Sequence, residues 1–140
     1  MIKTLIFSLM MLLTASVTSQ DISNNCRMVV HIENIPILTN RIYLAVFKNA
    51  KEYDEDKPYR LVVCPVHKKS MSVRVSLPKG TYSVKIFQDL NNNRKVDTVF
   101  GIPREPYGLS NNINGFPNWK KTKFYVNGTK IVKIKMRYRL

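Results

Sequence analysis

Asp89, Asn91, Asn93 and Asp97 stand at the first, third, fifth and ninth places of one short segment. Calcium is a hard cation that takes oxygen ligands, and closely spaced Asp and Asn side chains can wrap one ion. The match to a twelve-residue calcium loop of the EF-hand type is partial. Arg94 takes the place of its glycine, and Phe100 takes the place of its closing glutamate. Arg94 and Lys95 oppose a cation, whereas Glu105 supplies a further oxygen if the chain folds back. Calcium is thus weighed against a plain turn, in which the same side chains bond to nearby backbone groups.

Other chemistry has less support in the residue types. Asp89, Asp97 and Glu105 could in principle supply the paired acid and base of a hydrolase, but nothing else in the residues supports one. Only two histidines exist, His31 and His67. One falls on the polar side of an alternating run and the other beside Lys68 and Lys69, so neither reads as a general base. There is no C-x-x-C, H-E-x-x-H, phosphate loop or G-x-S-x-G. The residues therefore favour a non-catalytic protein.

Charge supplies the second functional signal. The chain has 23 Lys and Arg against 9 Asp and Glu, a net +14. No acid follows Glu105, and Lys133, Lys135, Arg137 and Arg139 recur at every second residue. In a strand that spacing puts four cations on one face. Such a comb suits anionic glycans, lipopolysaccharide or membrane headgroups.

The N-terminus bears on the compartment. Lys3 precedes the apolar run Leu5 to Leu13, and Thr14 to Ser19 are mostly small. That is the layout of a secretory signal peptide, with cleavage expected before Gln20. The run is shorter than the roughly 20 residues that span a bilayer, and no later segment is apolar enough to do so. Export to a periplasm, cell surface or medium makes nucleic acid an unexpected partner. It also makes a Cys26–Cys64 disulfide conceivable, worth roughly 4 kcal/mol in the chain-entropy model, with two separate thiols as the alternative.

The elements that must position these residues are strands. Met28 to Ile32, Ile42 to Val46, Val73 to Leu77, Tyr82 to Ile86 and Ile134 to Tyr138 alternate apolar with polar. Leu61, Val62, Val63 and Cys64 are contiguous, as in a strand buried on both faces. Lys123 to Val126 makes a seventh run. Leu77-Pro78-Lys79-Gly80 marks a turn, and Asn127-Gly128 predicts a hairpin. Asn49 to Asp56 allows one helical turn. The fold class is all-β, an antiparallel sandwich of about seven strands, immunoglobulin-like or prealbumin-like, in one domain over residues 20–140. It carries one long Asn/Gly/Pro-rich loop between Ile86 and Lys123. Tyr107, Phe116 and Trp119 in or beside that loop either pin it down or offer surfaces for a sugar or a membrane.

The loop also carries a resemblance. Asp89, Asn91, Asn93 and Asp97, followed by Gly101, Pro103, Glu105, Gly108 and Ser110, resemble an Asn-rich loop and a G-x-P-x-E-x-x-G-x-S segment. These features occur in the exported bacterial family called domain of unknown function 2141. Pro78, Gly80 and Tyr82 resemble its P-x-G-x-Y. The likeness runs over about residues 27–138. It implies an exported bacterial β-sandwich and no activity. Gln88 stands where the family often has His, and Arg94 where Gly is common.

Overall fold

Four of the five alternating runs become strands in the computed structural model, which describes residues 25–139, whereas only the first two residues of Ile134 to Tyr138 lie in one. The expected signal peptide lies outside the described residues. The strands are β1 (Asn25–Glu33), β2 (Arg41–Phe47), β3 (Arg60–Pro65), β4 (Met71–Pro78) and β5 (Gly80–Asp89). They continue with β6 (Thr98–Val99), β7 (Ile102–Pro103), β8 (Tyr107–Leu109), β9 (Phe124–Val126) and β10 (Thr129–Lys135). Two short helices interrupt them, α1 (Ala50–Asp54) and α2 (Trp119–Thr122). Each is opened by an asparagine, Asn49 or Asn118, whose side chain accepts an orphan N–H two residues into the helix, that of Glu52 or Lys121.

Two sheets form the sandwich. One has the order β10-β1-β4; the other runs β3-β2-β5-β8, with β9 also paired to β5. The inward residues of both meet in one core: Met28, Val30 and Ile32 of β1 with Ile42, Leu44 and Val46 of β2, for example. Each such side chain contributes about 1.5–3 kcal/mol on burial. The alternation thus fixes which side of every ribbon faces the interior.

Three expectations need correction. Asn127-Gly128 makes no hairpin, because β9 pairs with β5 while β10 pairs with β1. Gly128, at φ 80°, turns the chain from one sheet to the other. The β1–β10 pairing is parallel, so the sandwich is not wholly antiparallel. And β3 is an edge strand, with Leu61 54% exposed, not one covered on both sides.

Candidate functional site

The long loop is held at its two ends by one pairing. β8 runs antiparallel to the end of β5, with Phe87 opposite Tyr107, and Gln88 N–H donates to Pro106 O at 2.8 Å. The chain from Leu90 to Glu105 must therefore leave and return at one place. Glu105 comes back against the start of the loop and is only 4% exposed. Its Oε1 accepts the Leu90 N–H at 2.9 Å, and its Oε2 accepts the Asp97 N–H at 3.2 Å.

Asp89, 1% exposed, works the same way. It accepts N–H groups from Asn93 at 3.2 Å and Arg94 at 2.8 Å. Asp97 accepts the side-chain amides of Asn91 and Asn93. The oxygens of those amides accept N–H groups from Asn93 and Lys95, closing two small turns. The structure thus gathers all five candidate calcium ligands, and every carboxylate already holds two N–H donors. Burial pushes the Glu105 carboxyl above its usual range; the two backbone N–H groups pull it down, and the charges of Asp97 and Asp89 push it up.

The chemical options follow from those bonds. Among the described residues, no group of three or more His, Cys, Asp or Glu is arranged to hold a metal ion. Asn91 and Asn93 turn their nitrogens, not their oxygens, toward Asp97. To ligate a cation through those oxygens, both amides must rotate. Asp89 and Glu105 face backbone N–H groups instead of each other across a cleft.

The rest of the motif shapes the same loop. Gly101, at φ 74°, turns the β6–β7 hairpin. Gly108 lies tight against the core. Buried Ser110 accepts the Val84 N–H at 3.0 Å and donates to Thr122 O at 2.6 Å. Residues 30–134 match the family described as uncharacterized protein conserved in bacteria (DUF2141). The chain belongs to that family. No curated protein and no solved structure matches it. In this DUF2141 chain the first of the two departures has a structural role. Gln88 donates both amide hydrogens, to Ile37 O at 2.6 Å and Thr39 O at 2.8 Å. A single imidazole N–H cannot make both bonds. Arg94 sits at φ 61°, a left-handed conformation that glycine takes without strain.

The basic comb is divided. Lys133 and Lys135 lie exposed on β10, and Arg139 is exposed beyond its end. Arg137 is half-buried and donates to Ile113 O and Asn112 O, both at 2.9 Å, so it braces the turn after β8. Neighbouring strands add cations that sequence spacing did not reveal. Register puts Lys133 beside His31, and Lys135 beside Glu33. Arg74 lies beside Val29, and Arg27 is two residues along on the same face. Trp119 packs its edge against Tyr53, whereas Phe116 is 83% exposed. Cys26 and Cys64 lie in different sheets, and the Cys26 sulfur accepts the Gly128 N–H at 3.0 Å.

Proposed function

We propose that the chain is an exported, non-catalytic binding module whose three-stranded sheet meets an anionic surface polymer. The observation that supports this most is the outer face of β10-β1-β4. It exposes Arg27, Arg74, Lys133 and Lys135, while Glu33 is the sole acid in the three strands. Clustered cations in water attract polyanions through a field that salt screens over about 8 Å at physiological strength. Among the described residues, no helix is long and apolar enough to cross a membrane.

The test is retention on immobilised heparin and on lipopolysaccharide. Binding should fall steeply as salt rises, and the triple variant Arg74→Ala/Lys133→Ala/Lys135→Ala should elute earlier. Binding indifferent to salt sinks the reading. Export is tested separately by mass spectrometry of the mature protein, which should begin at Gln20.

A calcium-stabilised loop is the second reading, supported by the convergence of Asp89, Asn91, Asn93, Asp97 and Glu105 in one hydrogen-bonded cluster. A ligand held only by the folded state raises its melting temperature by mass action. Equal melting in millimolar calcium and in chelator removes this alternative.

A further inference from the structure

A cleft of about 600 Å³ opens where the acidic loop meets the ends of β2 and β3. Its size falls in the range of small-molecule sites, about 300–1,000 Å³. Arg41 and Arg94 line it, together with Tyr43, Pro65, Thr39 and Asn92. No acid does so. Arg41 and Tyr43 are two residues apart on β2 and so share a face. Tyr43 stacks on Phe87, with centroids 5.0 Å apart and planes 14° from parallel, which fixes the ring.

The acidic loop brings Arg94 to the same cleft. Buried Asp89 anchors it there by accepting its backbone N–H. Asn40 ties the same loop down by donating to Leu90 O at 3.2 Å. Neither Arg41 nor Arg94 has a side-chain hydrogen bond or ion pair among the described residues. Both side chains are exposed; Asp89 stands opposite Arg41 across β2 and β5, but its oxygens already hold the Asn93 and Arg94 N–H groups, so both guanidinium groups remain available to an anion from solution. Arg94 is moreover kept at a left-handed φ that a glycine would adopt without strain.

We infer that this cleft binds an anionic saccharide. The carboxylate or phosphate lies between the two guanidinium forks, which match either group. The sugar ring lies over the mouth of the cleft, where the exposed Asn92 amide meets its hydroxyls. This site is separate from the lysines of β10 and goes beyond the sheet-face reading.

Isothermal titration of the full mature protein tests it, with tetragalacturonate, glucose 6-phosphate and neutral maltotetraose as probes. At least one acidic sugar should bind and maltotetraose should not. Arg94→Gly should weaken that binding about tenfold or more, and Arg41→Ala should do the same. Because glycine relieves the backbone, Arg94→Gly should melt no lower than the parent, which separates lost contact from lost fold. Lys133→Ala/Lys135→Ala should leave the affinity within about twofold, since those residues lie outside the cleft. The inference is overturned if neither acidic sugar binds, if Arg94→Gly binds like the parent, or if only the β10 variant loses binding.

Discussion

Gly108 lies so close to Ile134 that a Cβ built on it would stand 2.6 Å from Ile134 Cγ2. The Ile86 side chain closes the space from another side at 3.1 Å. β8 can pair with β5 while passing β10 only because residue 108 has no side chain. Gly108→Ala should therefore overpack the core and destabilise by about 1–3 kcal/mol. Thermal denaturation followed by circular dichroism measures this. Ile134→Ala in the same chain should make the alanine at 108 cheaper, so the double variant should lose less than the two single losses combined.

Glu105 gives a pH signature. Its folded carboxyl titrates above the usual value, chiefly because it is buried. The protonated form therefore favours the fold. Its stabilising contribution is present in full below the unfolded pKa and is lost as pH rises through the raised, folded one. Glu105→Gln removes the titration and turns an N–H donor toward either Leu90 or Asp97, at a cost of about 1–3 kcal/mol. The melting advantage of the parent over this variant should grow as pH falls from neutrality toward the ordinary glutamate range. An advantage that shrinks over that window contradicts the assigned environment.

Phe100 occupies the tip of the β6–β7 hairpin, 99% exposed and at φ 51°. A bulky residue is strained there and gains nothing from burial. Phe100→Asn creates the Asn-Gly pair that such two-residue turns prefer. The variant should gain up to about 1 kcal/mol, read as a higher denaturation midpoint.

Burial raises the pKa of the Cys64 thiol. Less thiolate at neutral pH means slow alkylation in the folded state. Unfolding without reductant should then release two titratable thiols per chain. Finding none would mean that Cys26 and Cys64 pair in the mature protein.

The parts of this molecule that were legible in the sequence are the local ones. Period two placed β1, β2, β4 and β5 because alternation is a property of neighbouring residues. The same locality explains why Asn127-Gly128 misled. A turn with positive φ is visible in the residues, but the sheet its second arm joins is decided by core packing far along the chain. The acidic loop was legible as four oxygen-bearing side chains spaced to wrap one ion, with Glu105 joining them if the chain folded back, and the structure gathers all five. That their oxygens already hold N–H groups was not legible, because those donors belong to backbone whose path no spacing rule gives. Arg27 and Arg74 reach the face of Lys133 only through strand register. Arg137 looked like the third tooth of the comb, yet β10 ends at Lys135 and its guanidinium is taken up by the turn at Asn112 and Ile113.

The parallel pairing of β1 with β10 has a kinetic side. Arg27 stands opposite Thr129, so the first described strand is bordered by the last. A contact spanning nearly the whole chain forms late, because a very long loop must close first. Until the C-terminal strand emerges from the ribosome or from a translocation channel, β1 has only β4 beside it. A chain truncated before Thr129 should stay incompletely folded and vulnerable to proteases, however intact its other strands.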